Sequence, residues 1–389
     1  MTPAARCAAA IEIIDQILTG DAAERALTNW ARRSRFAGSK DRAAIRDHVF
    51  DALRNKLSYA ALGGANTGRG ILLGALRAHD TSVEDIFNGV GHAPAPLTTT
   101  EVEFTPAELP DFVRLDFPEW LEPNLRNSLG DKFEAVLSLL KQRAPVYLRV
   151  NTRKSNVENA IMRLEAEGIS TRPVTLTPSA LKVIENPRKV ANSAAYQEGI
   201  VELQDAASQF IANELEIAPG AQVLDYCAGG GGKSLAFAAK ADATFFAYDI
   251  DEKRMSDIPE RAKRAGVRIK CLNDEQLASE ANFDVVFVDA PCSGSGSWRR
   301  SPDAKWNFTP ERLQQLKSIQ QDILNKAKSK TAPSGILAYA TCSILSEENE
   351  HQIRDFLTEN KDWVLLRQKQ LTPVDGGDGF YFAELKRNA

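Results

Sequence analysis

The chain has 389 residues, 43% apolar and 26% charged, with a net charge of −4, a water-soluble globular composition too long for one ordinary core, so two or three domains are expected. No apolar run is long enough to cross a membrane, and the alternation of apolar and charged residues over positions 1–17 lacks the core of a signal peptide, so a cytoplasmic location is expected. Five cysteines, Cys7, Cys227, Cys271, Cys292 and Cys342, have neither close pairing nor metal spacing, which argues against a disulfide framework and a zinc site and leaves free thiols.

Residues 4–62 read as helical throughout: Ile11, Ile14, Ile17 and Leu18 form one apolar stripe and Ile45, Val49, Phe50 and Leu53 another, with Ser39, Asp41 and Asp47 placed as at a helix start. Gly63, Gly64, Gly68 and Gly70 mark a break before a short helix at 71–78, so 1–92 is read as a small all-helical domain. Residues 93–143, with Pro94, Pro96, Pro106 and Pro110, read as a linker followed by a bridging helix within 120–140. Residues 144–203 mix types: a strand at 146–150, a helix at 157–167 closed by Gly168, and short apolar runs near Val174, at 181–184 and at 200–203, a small α+β subdomain.

Charge is distributed unevenly. The net charge is +2 over 1–92, −6 over 93–137, +5 over 138–200 and −5 over the remainder. The third block, through Arg149, Arg153, Lys154, Arg172, Arg188 and Lys189, is a candidate RNA-facing surface, with a solvated face as the alternative.

From residue 204 to 389 strands and helices alternate, the mark of a doubly wound α/β sheet. The expected strands are 222–226, 244–250, 267–272, 284–289, 335–341, 363–367 and 380–385, with the longest helix at 311–330. Seven strands with the last two close together predict a Rossmann-like methyltransferase sheet with an antiparallel edge.

The fourth strand is a continuous apolar run, Val285 to Val288, polar only at its carboxyl end, where Asp289 and Cys292 stand with Pro291, Gly294 and Gly296. The first strand opens into Asp225, Tyr226, Cys227, Ala228, Gly229, Gly230, Gly231, Gly232 and Lys233, a turn that lets a ligand approach the backbone at a helix N-terminus. It is not a Walker loop, since cysteine occupies the position of the first glycine. Asp249, about 20 residues on, suits the hydroxyls of a ribose, so an adenosine-bearing cofactor is expected. The fifth strand ends in Thr341-Cys342-Ser343, and the fourth and fifth strands of such sheets are neighbours about 5 Å apart.

These residues carry a family resemblance. The chain resembles the RNA cytosine-5 methyltransferases of the Sun/RsmB type, related to the NSUN enzymes, over 145–385: the matching stretches are 148–151, 203–209, 223–233, the Asp-Ala-Pro-Cys-Ser-Gly-Ser-Gly of 289–296, 299–306, and Thr341-Cys342-Ser343 followed by Glu347-Glu348-Asn349. The N-terminal helices resemble, more weakly, the NusB-like domain of that family. Where the family usually has Ala-Pro-Gly-Gly, this chain has Gly229 to Gly232, which frees the unbound loop.

The resemblance implies S-adenosylmethionine as cofactor, contacted by 227–233, Asp249, Arg254, Asp274 and Asp289, and a single-stranded or looped RNA as substrate of a monomeric enzyme. It assigns the thiol that adds to cytosine carbon 6 to Cys342 and the release of the methylated base to Cys292. Asp289 would bind nitrogen 3 or the exocyclic amine, and Lys233 would supply a second polar contact. Small-subunit ribosomal RNA is the implied substrate, with transfer RNA as the alternative. An amino methyltransferase would carry an aromatic residue where Cys292 stands, and a silent RNA-binding assembly factor would have no use for both thiols.

Overall fold

The computed structural model describes residues 1–388. Their contacts divide them into two units, Met1–Arg143 with Trp298–Phe308, and Ala144–Ser297 with residues from Thr309 onward.

The first unit begins with five helices: α1 Pro3–Leu18, α2 Ala23–Arg33, α3 Ser39–Arg54, α4 Lys56–Gly63 and α5 Gly68–Ala78. Helicity is thus interrupted within 4–62, at Gly20 with φ +112°, at a turn over 34–38 and at Asn55. Ser39 is the first helical residue of α3 and Gly38 its cap. Ile13, Ile14, Ala26, Trp30, Ile45, Val49, Leu53 and Ile71 make the core. Helices α4 and α5 meet backbone to backbone, because a Cβ on Gly63 would lie 1.8 Å from the Gly70 carbonyl and one on Gly74 1.8 Å from that of Tyr59.

Residues Trp298–Phe308 complete this unit. Arg54 Nε donates to the Arg299 carbonyl (2.7 Å), Trp306 Nε1 to that of Leu53 (2.6 Å), and the buried Lys305 ammonium to the carbonyls of Arg54 (3.2 Å) and Asp116. The buried Asp116 carboxylate accepts from the amides of Leu57 (2.7 Å) and Ser58 (3.1 Å) and pairs with Lys141 at 2.9 Å.

The second unit holds two sheets. The smaller is antiparallel, order β2-β3-β1-β4, from β1 Tyr147–Val150, β2 Thr171–Pro173, β3 Ala180–Val183 and β4 Val201–Leu203. Leu148, Val150, Leu181 and Val201 pack against Leu164 of the helix Val157–Ala166. Three of its cations have partners within the unit, and of these only Arg149 is buried, while Arg153 and Lys154 remain exposed. Arg149 is buried with Nε on Gln204 Oε1 (2.7 Å). Arg153 caps the carbonyls of Ala238 (2.6 Å) and Ala241 (2.5 Å), and Lys154 those of Glu198 (2.8 Å) and Arg264 (2.6 Å). These charges compensate helix-end carbonyls within the unit. Arg172, Arg188 and Lys189 are exposed.

The larger sheet is built from β5 Gln222–Asp225, β6 Thr244–Tyr248, β7 Lys270–Leu272, β8 Phe283–Asp289, β9 Thr331–Thr341, β10 Trp363–Leu371 and β11 Phe380–Arg387, in the order β10-β11-β9-β8-β5-β6-β7. Strands β9, β8, β5, β6 and β7 run parallel, and β11 runs antiparallel between β9 and β10. Apolar side chains cover both faces: Leu224, Val286, Val288 and Tyr339 on one, Val223, Val285, Phe287 and Ala338 on the other. That two-sided burial is why these strands read as unbroken apolar runs. Because the parallel strands all end at one edge, Asp225, Asp249, Asp289 and Thr341 close them on the same side.

Candidate active site

At that edge lies a cavity of about 730 Å³ lined by the glycine turn, the ends of β6, β8 and β9, and one face of the helix Pro310–Lys330. Asp225 ends β5 almost fully buried. Its Oδ2 accepts from Ser234 Oγ (2.6 Å), but its Oδ1 is buried without a partner. Burial pushes its pKa up to about 7, against the lowering effect of the Ser234 hydrogen bond.

The glycine turn follows. Gly229 (φ +49°) and Gly231 (φ +76°) take the left-handed backbone that lets the chain reverse into the helix Gly232–Lys240. The Gly229 amide donates to Asp249 Oδ2 at 2.9 Å, so the turn and the end of β6 hold each other. Asp249 is 2% exposed and also accepts from the Asp251 amide (3.1 Å) and pairs with Arg254 (3.1 Å).

Deeper in the cavity Lys233 Nζ meets Asp289 Oδ2 at 2.5 Å. Burial alone would lower the lysine's pKa, but the attraction of Asp289 and the hydrogen bond to it outweigh that and the net shift is upward, so the ammonium is held charged. The two thiols face each other at 3.3 Å between Cys292 Sγ and Cys342 Sγ. The hydrogen bond to Cys342, then burial, then the charge of Cys342 push the Cys292 thiol well up. Cys227 lines the same cavity, and burial pushes its pKa far up.

The loops bearing the two thiols are tied together by Glu348, which had no role in the sequence reading. Its buried carboxylate accepts from the Ser293 amide (2.8 Å) and hydroxyl, from Ser343 Oγ (2.6 Å) and from Gln320 Nε2 (3.1 Å). Ser295 Oγ lies 2.9 Å from Ser343 Oγ and accepts from the Ile344 amide at 2.9 Å. The thiols are therefore spaced by a closed hydrogen-bond network.

Of the residues singled out from the sequence, Cys227, Ala228, Gly229, Gly230, Gly232, Lys233, Asp249, Arg254, Asp289, Cys292 and Cys342 line the cavity. Gly231 faces Ile258 instead, and Asp274 lies exposed beside the sheet, accepting from the Tyr248 hydroxyl at 2.6 Å. Sequence reasoning missed Ile319, Asp322, Ile323 and Lys326, whose i, i+3, i+4, i+7 spacing marks one face of their helix.

This geometry meets clear relatives. Residues 212–386 match the family model described as 16S rRNA methyltransferase RsmB/F, and residues 117–191 match that of the RsmF/B-like ferredoxin-like domain. "Ribosomal RNA small subunit methyltransferase B" of Salmonella paratyphi B is 32% identical over 333 residues, covering 82% of this chain and 73% of the relative. The chain belongs to the RsmB/F methyltransferase family.

The namesake in Citrobacter koseri is 33% identical over 282 residues, 69% of this chain and 66% of that protein. Among solved structures, PH0851 shares the fold with a TM-score of 0.78 at 24% identity, over 100% of this chain and 99% of that one. NSun6 from Pyrococcus horikoshii, solved with SFG, gives a TM-score of 0.62 at 18% identity over 70% and 98%.

RsmB/F methyltransferases use S-adenosylmethionine, and the residues present fit it. The unpartnered buried oxygen of Asp225 suits a cationic amino group, the Asp249 carboxylate suits ribose hydroxyls, and the glycine turn leaves backbone accessible between them.

Proposed function

We propose that this chain methylates carbon 5 of a cytosine in RNA, with small-subunit ribosomal RNA as substrate, through a covalent cysteine adduct. One observation carries the reading: two thiols 3.3 Å apart share a cavity with a charged Lys233–Asp289 pair. Amine or hydroxyl methylation needs no nucleophile, whereas carbon 5 of cytosine becomes nucleophilic only after a thiolate adds to carbon 6.

S-adenosylmethionine, when bound, supplies an electrophilic methyl group. The Cys342 thiolate adds to carbon 6, favoured by the Lys233 ammonium, while the Asp289 carboxylate accepts from the exocyclic amine and fixes the ring. Before addition Cys292 keeps its proton, because the strongest influence raising its pKa is the neighbouring Cys342 sulfur. Once Cys342 is bonded to carbon, that sulfur carries no charge and the restraint is relieved. Cys292 then loses its thiol proton to solvent, and the resulting thiolate takes the carbon 5 proton; the C–H electron pair re-forms the carbon 5–carbon 6 double bond and the Cys342–carbon 6 bond breaks, returning Cys342 as a thiolate.

Incubation with S-adenosylmethionine and a ribosomal RNA fragment carrying 5-fluorocytosine tests this. Fluorine cannot leave as a proton does, so a denaturant-stable protein–RNA species is expected. Methyl incorporation into ordinary RNA without such a species would eliminate the covalent route.

A further inference from the structure

We propose that residues 32–42, the connector from α2 to α3 with the helix ends that flank it, form a second RNA contact: Phe36 stacks on an unpaired base and Arg32, Arg35 and Lys40 bind the flanking phosphates, at a stretch of substrate distinct from the target cytosine. The inference rests on the RNA reading above.

Phe36 is 76% exposed, yet its neighbours Ser34 and Ala37 are buried and pin the turn. The Ser34 amide donates to the Trp30 carbonyl (2.9 Å), the Ala37 amide to that of Ser34 (3.0 Å), and Arg42 Nε to that of Ala37 (2.9 Å). The ring is therefore presented by a hydrogen-bonded turn. Five cations stand in these eleven residues against one acid, Asp41, which is already taken by the amino terminus (3.3 Å) and Arg6 (2.8 Å). Arg33 reaches Glu12 at 3.4 Å, but among the described residues no carboxylate pairs with Arg32, Arg35 or Lys40.

An outward aromatic ring flanked by uncompensated cations suits a single strand, whose bases offer π faces and whose backbone offers charge at short intervals. One large apolar side chain is too little for the centre of a protein interface or for insertion into lipid.

Binding of fluorescent oligouridine to the full-length protein isolates this contact, because an RNA without cytosine offers no target to the thiols. Phe36→Ala should weaken it about 5- to 20-fold, Phe36→Trp should restore it, and the triple variant R32A/R35A/K40A should flatten the log affinity against log salt slope by about 2. Thermal midpoints and S-adenosylmethionine affinity should stay at wild-type values. Unchanged oligouridine binding in both variants overturns the proposal, as does loss of binding to phosphatidylglycerol vesicles in Phe36→Ala with RNA binding intact. The 5-fluorocytosine adduct is scored separately on wild-type protein. If it forms while Phe36→Ala binds normally, only the second contact falls; if it does not form, the catalytic reading falls.

Discussion

Two thiols 3.3 Å apart lose their second proton less readily than their first, and the hydrogen bond to Cys342 is the leading cause that raises the Cys292 pKa. The order of events then divides their roles. Cys342→Ser should abolish both turnover and adduct, since a hydroxyl is a far weaker nucleophile than a thiolate. Cys292→Ser should let addition and methylation proceed but stall release, leaving a slower band on a denaturing gel with ordinary RNA. The reverse pattern would exchange the two assignments. Asp225 gives a second residue-scale expectation. Burial holds its pKa near 7, so below that pH it is increasingly neutral and loses its pull on a cationic amino group. Cofactor affinity measured by calorimetry should therefore rise as pH goes from 5.5 to 7.5, and Asp225→Asn should flatten the profile. A flat wild-type profile would remove Asp225 from the cofactor's partners.

At the scale of elements, the loops after β8 and β9 are held in register by one carboxylate. Burial pushes the Glu348 pKa up on balance, against the lowering effect of its hydrogen bonds from Ser293, Ser343 and Gln320. Glu348→Ala removes the acceptor that four donors share and should cost about 2 to 4 kcal/mol of stability, read from urea midpoints. Turnover in that variant should fall at least about tenfold while cofactor affinity is kept, because loosened thiols lose their alignment. Equal turnover would show that the network is structural only. The family-like stretch Glu347-Glu348-Asn349 drew attention to Glu348 but gave it no role, because it sits in a single 3₁₀ turn, Ser346–Glu348, with no apolar period, and meets its partners only when β8 and β9 pair. The strands themselves were legible because two-sided burial leaves an unbroken apolar run, and their polar ends stood out against it. The carbonyl partners of Arg153 and Lys154 were not legible, because an exposed cation that caps a helix-end carbonyl looks the same in sequence as one that touches only water.

On the scale of the whole molecule, the N-terminal unit carries a buried lysine whose proton is linked to folding. Burial lowers the Lys305 pKa to about 7, only partly opposed by Asp116, whereas an unfolded lysine titrates near 10.4. Between those values the unfolded chain binds the extra proton, so stability should rise with pH from about 7 to 10, by up to about 1.4 kcal/mol per unit. Denaturation midpoints at pH 7.5 and 9.5 should separate in wild type and converge in Lys305→Met. If they separate equally in both, the proton belongs to another group. The same lysine lies in Trp298–Phe308, a segment the unit receives from far along the chain. During synthesis the helices up to Arg143 therefore leave the ribosome about 165 residues before Phe308 does, a delay of roughly 10 to 30 s at ordinary elongation rates. Nascent chains stalled at residue 290 should still be cleaved readily by protease within 50–60, and chains stalled well past 308 should resist. The first part of the protein to be made is thus not the first to be finished, and until Lys305 and Trp306 arrive, the carbonyls of Leu53, Arg54 and Asp116 wait for their donors.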